Sequence, residues 1–384
     1  MGYHDGPDQT CPPLTTGALA GLRVLDAASL LAAPLISSVL ADHGADVVRL
    51  EPPGGDPYRE SARHLWALTA RGKRSLVLDP EVAVDRRQLH AVIPGIDVVV
   101  VNEPTARLQR RGLDHETLAA LNSGLIYVHV SGFGLDGPAA GRPGNGTLAE
   151  ALSGLTHMTG DPDGPPVLPS VPLGDAVMAY VGAFGIMTAW YQRQMNGGAG
   201  QVIDVNPVDA MLHMTAPVLS GFDGSAPPPH RLGSRLPGIG LRNVFATGDG
   251  GWVAVSASTS RQERSIRELV GAGDSDAPEV ALGRWAAARP RDEVLAVLQE
   301  ARIPVAPVNT AADILADPHL RHRNAIRTLQ AEGGDAVPVP APAPRSLPGA
   351  GHPSDRLAGV GEHTAEVLQD WGTRDLGPGP ADEG

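Results

Sequence analysis

Leu22-Arg-Val-Leu-Asp26, then Pro34-Leu-Ile-Ser-Ser-Val-Leu-Ala-Asp-His43, then Ala45-Asp-Val-Val-Arg-Leu-Glu51 follow one another directly, and their order decides the fold. The first is a short β-rich run. The second carries apolar residues at helical spacing and stops at Gly44, a residue suited to a helix C-cap. The third again reads as a strand. A strand, a helix and a strand joined this tightly form a β-α-β unit, with parallel strands and a right-handed crossover. The rhythm continues through a strand at Ser75–Leu78, a helix near Ala83–Ile93 and the strand Asp97-Val-Val-Val-Val101, which looks buried. A helix near His115–Leu121 and the strand Leu125-Ile-Tyr-Val-His-Val130 extend it. The expectation is an open, doubly wound α/β sheet, with ligands beyond the carboxyl ends of its strands.

Further along, Asp175–Met195 is an apolar stretch long enough for about five helical turns, and Gln201–Val205 reads as a strand. At Arg242 the texture changes. Asn243-Val-Phe-Ala-Thr247, the turn Gly248-Asp-Gly-Gly251 and Trp252-Val-Ala-Val-Ser256 read as a hairpin, followed by helical segments to about Glu300, which indicates a smaller α+β domain. Two Pro-rich stretches, Ser225–His230 and Val337–Pro344, read as linkers. The tail from Gly361 carries an amphipathic segment, Ala365–Trp371, expected to return to the first domain.

With 384 residues, the chain falls in the range of two domains or one large α/β unit and has enough length for a substantial core. No unbroken apolar run approaches the roughly 18 residues of a spanning helix, and the first residues lack a basic and apolar leader, so neither a membrane segment nor a secretory signal is expected. Gly6 stands where a myristoylation signal wants Ser or Thr. A single cysteine, Cys11, excludes a disulfide framework and a cysteine-based zinc site, and fits the reducing cytoplasm. The formal charge of -13, from 30 Lys plus Arg against 43 Asp plus Glu, disfavours nucleic acid or an anionic membrane as partner. Local basic clusters remain able to hold a small polyanion.

Asp175, in Pro172-Leu-Gly-Asp175, has two readings. An Asp opening an apolar helix is commonly an N-cap, accepting free backbone N–H groups and favoured by the helix dipole. The same helix terminus would also stabilise an ionised, reachable carboxylate and offer donors to an oxyanion formed beside it. The two are separated by whether one oxygen is free to attack, as a covalent nucleophile must be.

An ordered series of motifs surrounds this acid. Gly21-Leu-Arg-Val-Leu-Asp26, Leu40-Ala-Asp-His-Gly-Ala-Asp-Val-Val-Arg-Leu-Glu51, Arg71-Gly-Lys-Arg-Ser-Leu76 and Leu125–Gly134 precede it. Gly197–Val205, Asp209-Ala210, Asp249–Val255, Arg302–Asn309, Asp317–Leu320 and Gly361-Glu-His-Thr364 follow it. Together, from about residue 20 to 372, they resemble family III CoA-transferases, which include formyl-CoA and carnitine-CoA transferases and the α-methylacyl-CoA racemases. The resemblance implies a Rossmann-like large domain with a parallel sheet, a smaller α+β domain, and two chains interlocked as a homodimer. The expected division is a lead-in at 1–19, the large CoA-binding domain at 20–220, a linker at 221–241 and the small domain at 242–325. A Pro-rich linker at 326–350 and a return to the large domain at 351–384 complete it.

The resemblance makes Asp175 the nucleophile of a CoA transfer from an acyl-CoA thioester to a free carboxylic acid through an aspartyl intermediate. It places Lys73, Arg74, Asn102 and Arg110 near the nucleotide and phosphates, and Leu31, Ala32, Ser131 and Asn145 around the acyl-CoA. CoA is implied as substrate, with no permanently bound cofactor and no metal. Several positions depart from the family. Leu31 stands where several transferases carry Gln, and Ser131 where formyl-CoA transferase has Lys. His230–Gly240 is shorter than the Gly-rich loop that covers the formyl-CoA site. Gly144-Asn145-Gly146 replaces the Gly-His-Asp triplet of the racemases, and Asn is no base near neutral pH. His129 and His157, at other positions, read as structural. Glu150, one turn after Gly146, reads as solvent-facing, although the spacing lets it reach the same pocket. A racemase-like proton transfer, or a repurposed chain that binds acyl-CoA without transfer, are the alternative readings.

Overall fold

The computed structural model of the chain describes residues 17–224, 230–273, 276–331, 334–345 and 354–372. Most of the expected lead-in with Cys11, and the Pro-rich run at 225–229, lie outside them. The described residues form two compact units: those within 1–153, 170–216 and 324–384 make the first, and those within 154–169 and 217–323 the second.

In the first unit the strands and helices alternate as β1 (Arg23–Asp26), α1 (Ala32–Asp42), β2 (Asp46–Glu51), α2 (Tyr58–Ser61), α3 (Arg63–Ala70), β3 (Lys73–Val77), α4 (Ala83–Val92), β4 (Val98–Val101), α5 (Thr105–Arg111), α6 (His115–Leu121), β5 (Ile126–Val130) and α7 (Gly146–Leu152). After α8 (Leu155–Met158), which belongs to the second unit, come α9 (Leu173–Met195), β6 (Gln201–Val205) and α10 (Pro207–Ser220). The six strands are all parallel, in the order β3-β2-β1-β4-β5-β6. α1 ends as expected, with Gly44 left-handed (φ 95°).

Burial on both faces explains the unbroken valine run of β4. Val98 and Val100 pack with Ile36 and Leu40 of α1 and Met178, Ala183 and Ile186 of α9. Val99 and Val101 face the other way, toward Leu89, Leu108, Leu118 and Trp371. Each such side chain contributes roughly 1.5–3 kcal/mol by leaving water. α9 reaches a mean hydropathy of 1.3 and is long enough to cross a bilayer by composition, yet its Met178, Ala179, Gly182, Ala183, Ile186 and Ala189 are buried in this core. That is the pattern of a core helix.

The C-terminal return is α16 (Thr364–Gly372). The His363 N–H donates to the Ser75 carbonyl at 3.0 Å, and Trp371 Nε1 to Asp46 Oδ2 at 3.0 Å. Within the stretch expected to be a Pro-rich linker, β10 (Ile326–Gln330) and β11 (Ala336–Pro340) instead form an antiparallel hairpin. Its Leu329 and Val339 are buried with Trp66 and Ala67 of α3. A two-stranded ribbon has two edges, so Pro338 and Pro340 need not donate to a neighbour on the outer side.

The second unit holds the expected hairpin, β7 (Leu241–Ala246) with β8 (Trp252–Ala257), and a third antiparallel strand, β9 (Val305–Pro307). Its helices are α11 (Ser260–Val270), α12 (Pro278–Ala287), α13 (Arg291–Glu300), α14 (Ala311–Ala316) and α15 (Pro318–His322). Phe245, Val253, Val255, Ile266, Leu282 and Leu298 form the core of this unit. Asp249 ties its turn to α13, accepting from Thr247 Oγ1 at 2.6 Å and from the Arg291 N–H at 3.0 Å.

Candidate active site

The strand order reverses between β1 and β4, and chain connections diverging there leave a crevice at the carboxyl edge of the sheet. A cavity of about 360 Å³ occupies it. Its wall comes from Ser29–Ala33 after β1, Asn102 after β4, Ser131 and Gly132 after β5, Pro207 at the start of α10, and Asn145 and Asp175. The first turns of α1, α9 and α10 and the cap of α7 therefore border one space. The positive ends of their dipoles favour negative charge there.

Three hydrogen bonds shape the wall between β1 and β4. Asn102 Oδ1 accepts from the Ser29 N–H at 2.9 Å and from its hydroxyl at 3.3 Å, while Nδ2 donates to the Ser29 carbonyl at 2.9 Å. The next residue, Leu30, is left-handed (φ 67°) and 61% exposed. Such a backbone costs a branched residue about 1–2 kcal/mol, and the Asn102 clamp helps to hold it. Below this loop lies a buried ion cluster. Asp26 pairs with Arg49 at 2.9 Å and Lys73 at 2.7 Å, and Arg49 also pairs with Asp56 at 2.5 Å. Burial opposes ionisation of Asp26, yet the two cations hold its carboxyl below the usual range.

Asp175 does not cap its own helix. Pro172 takes the N-cap position of α9 and Asp175 sits in the first turn. Its Oδ1 accepts from the Gly146 N–H at 3.1 Å, at the start of α7, and among the described residues Oδ2 has no partner. Burial pushes the Asp175 carboxyl up from its ordinary value; the Gly146 N–H opposes this and the charge of Glu150 adds to it. The close approach requires glycine on both sides. A Cβ at Gly146 would stand 2.6 Å from Asp175 N and 2.7 Å from Oδ1, and one at Gly174 would stand 2.6 Å from the Gly146 carbonyl oxygen.

Of the residues named from the sequence, Leu31, Ala32, Asn102, Ser131, Asn145 and Asp175 are brought together around the cavity. Lys73, Arg74 and Arg110 are not. Lys73, expected at the phosphates, is buried, with its ammonium engaged by Asp26 Oδ2, the Pro34 carbonyl at 2.6 Å and Ser37 Oγ at 2.9 Å. Burial, only partly offset by Asp26, lowers it to about 8. Arg74 pairs with Asp46 at 2.6 Å and Glu366 at 3.0 Å. Arg110 lies exposed on α5 and donates to the Ala106 carbonyl at 3.2 Å. Asn145 Oδ1 caps α7 through the Leu148 N–H at 3.2 Å, and Ser131 Oγ accepts from the Gly134 N–H at 2.9 Å. His129 is buried against the Glu103 carbonyl at 3.0 Å, and burial lowers its pKa.

Glu150 corrects an expectation. It is 2% exposed, not solvent-facing, and its Oε1 accepts from the Gly174 N–H at 2.9 Å. The spacing from Gly146 was the available signal, but which face of α7 turns inward depends on α9. Tyr58 and Leu65 also line the cavity, brought there by α2 and α3.

The fold and this crevice define a doubly wound α/β enzyme with a carboxylate at the switch point of its sheet. Residues 19–364 match CoA-transferase family III, and the chain belongs to that family. It is 29% identical over 92% of its length, and 93% of the relative's, to the succinyl-CoA–D-citramalate CoA-transferase of Chloroflexus aurantiacus. It is 31% identical to the succinyl-CoA:mesaconate CoA-transferase of Haloarcula hispanica (93% and 97% covered) and to the succinate–glutarate CoA-transferase of Agrobacterium fabrum (92% and 96%). A crystal structure of a CAIB/BAIF family protein from Brucella suis superposes with a TM-score of 0.82 at 27% identity, covering 93% of this chain and 100% of that one.

Proposed function

We propose that this CoA-transferase moves CoA from an acyl-CoA to a free carboxylic acid through covalent intermediates on Asp175. The observation that carries this reading is the Asp175 carboxylate, bordering the crevice with one oxygen held by Gly146 and the other without a partner among the described residues. The carboxylate attacks the thioester carbonyl, giving a mixed anhydride and CoA thiolate. The thiolate attacks the Asp175 carbonyl of the anhydride, releasing the donor acid and leaving an aspartyl-CoA thioester. The acceptor carboxylate then attacks that thioester, forming a second anhydride and thiolate, and thiolate attack on the acceptor acyl carbon yields the new acyl-CoA and free Asp175. Thiolate and oxyanions develop beside the helix N-termini that border the cavity, whose N–H groups and dipoles favour negative charge.

The relatives' names pair succinyl-CoA with dicarboxylic acids, so succinyl-CoA is the first donor to test. Arg110, exposed on α5, is the remaining candidate for a phosphate contact. Two-base racemisation has less support, because Asn145 replaces the histidine and its Oδ1 is committed to the α7 cap. We also infer a cytoplasmic homodimer. Tyr180, Phe184, Tyr191 and Met195, each more than half exposed along one stripe of α9, support burial against a second copy. Incubation with succinyl-CoA and hydroxylamine, followed by peptide mass analysis, should show a modified Asp175. Unmodified Asp175 in a protein that still transfers CoA would overturn the mechanism.

A further inference from the structure

Glu150 is a buried carboxylate without a buried cation to match it. It is 2% exposed, and among the described residues no Lys, Arg or His pairs with it. Isolated buried charge is costly and is retained where something else depends on it. Its partner is the Gly174 N–H at 2.9 Å, the peptide group immediately before Asp175. One turn earlier on the same helix, the Gly146 N–H donates to Asp175 Oδ1 at 3.1 Å. α7 thus grips the start of α9 twice, once through its backbone and once through Glu150. The grip is close because Gly146 and Gly174 touch through their backbones.

We propose that Glu150 is a positioning residue for Asp175, fixing the first turn of α9 through Gly174 and setting a second carboxylate beside the nucleophile. The proposal rests on Asp175 being the nucleophile.

The other charged groups on elements packed against α9 are engaged elsewhere. Asp42 at the end of α1 pairs with Arg71 at 2.7 Å, and Arg193 of α9 pairs with Asp97 at 2.6 Å. His129 on β5 is bonded to the Glu103 carbonyl, and Asp204 on β6 accepts from the Leu135 N–H at 2.8 Å. Tyr127 on β5 donates to the Leu113 carbonyl at 2.9 Å. Tyr180 and Tyr191 lie on the exposed side of α9, and Tyr58 is the other titratable group bordering the cavity. Burial is the main cause of the raised Asp175 pKa, and Glu150 is the charge that adds to it.

The test separates charge from geometry. Glu150→Gln keeps an oxygen that can accept from Gly174, and Glu150→Ala does not. Single-turnover formation of the Asp175 adduct is followed from pH 4 to pH 8, with Asp175→Ala as control. In Glu150→Gln the acidic limb should move to lower pH by about half a unit or more as a like charge is removed, with KM for acyl-CoA nearly unchanged. In Glu150→Ala the rate should also fall, roughly tenfold to a hundredfold, as positioning is lost. A Glu150→Gln profile superimposable on that of the unmodified protein makes Glu150 a helix cap alone and overturns the proposal. Adduct formation in Asp175→Ala would instead refute the nucleophile assignment, whatever Glu150 does.

Discussion

Adding one methyl group at Gly146 tests how tightly Asp175 is held. The Cβ of Gly146→Ala would lie 2.6 Å from Asp175 N and 2.7 Å from both its Cγ and Oδ1. Comfortable contact between such atoms begins at about 3.5 Å, so relief needs a movement of roughly 0.8 Å. A new side-chain rotamer at Asp175 cannot provide it, because one of the clashing atoms is the backbone nitrogen. α7 cannot move away freely either, since Gly174 meets the Gly146 carbonyl from the other side. The first turn of α9 must therefore shift, loosening the Gly146–Asp175 and Glu150–Gly174 hydrogen bonds. Overpacking of this kind costs about 1–3 kcal/mol, and displacement of a reacting group by about 1 Å costs on the order of a hundredfold in rate. The assay is single-turnover adduct formation together with urea unfolding. Gly185→Ala on the same helix is the control, because its Cβ meets Ile203 Cγ2 at an ordinary 3.4 Å and alanine gains about 1 kcal/mol over glycine within a helix. Full rate and stability in Gly146→Ala would refute the idea that this contact positions Asp175. Gly146→Asp, with a larger side chain at the same contact, should be more damaging than Ala.

Asp175→Asn should abolish the adduct and stabilise the fold near neutral pH. A carboxyl raised by folding binds its proton more tightly in the native state, so the wild type is penalised above that raised pKa and the advantage of Asn should shrink as pH falls toward the ordinary carboxylate range; thermal unfolding at several pH values checks this. Lys73→Ala should destabilise by about 3 kcal/mol, the lower end of the range for breaking a buried ion pair, measured by denaturant titration, because the Pro34 carbonyl loses its donor and Asp26 is left with Arg49 as its cation. Asn102→Ala removes three hydrogen bonds to Ser29 and should raise KM for acyl-CoA severalfold with about 1 kcal/mol lost in stability; an unchanged KM would mean that the loop after β1 does not contact substrate.

The alternating strands and helices were legible because periodicity is local. β6 has the expected bounds, α9, β4 and β5 differ from expectation by one or two residues at one end, and α1 by two at its start and one at its end. The hairpin at Ile326–Pro340 was not legible. Alternating prolines read as a linker, and only the packing of Leu329 and Val339 against α3 makes them strand. The same limit applied to charge. Lys73 and Arg74 are adjacent cations in the sequence, but strand alternation sends Lys73 into the Asp26 cluster and Arg74 toward Asp46 and α16.

The sequence by itself determined a doubly wound sheet, an acid at the start of a long apolar helix, and a family whose ordered motifs make that acid a candidate nucleophile. Only the tertiary structure decided that Asp175 caps a neighbouring helix instead of its own. It likewise brought Glu150 inside, against Gly174. Both follow from the contact between α7 and α9, where two glycines from distant parts of the chain allow backbone to touch backbone. Local spacing reports which side of a helix a residue occupies; what that side meets depends on how the helices pack.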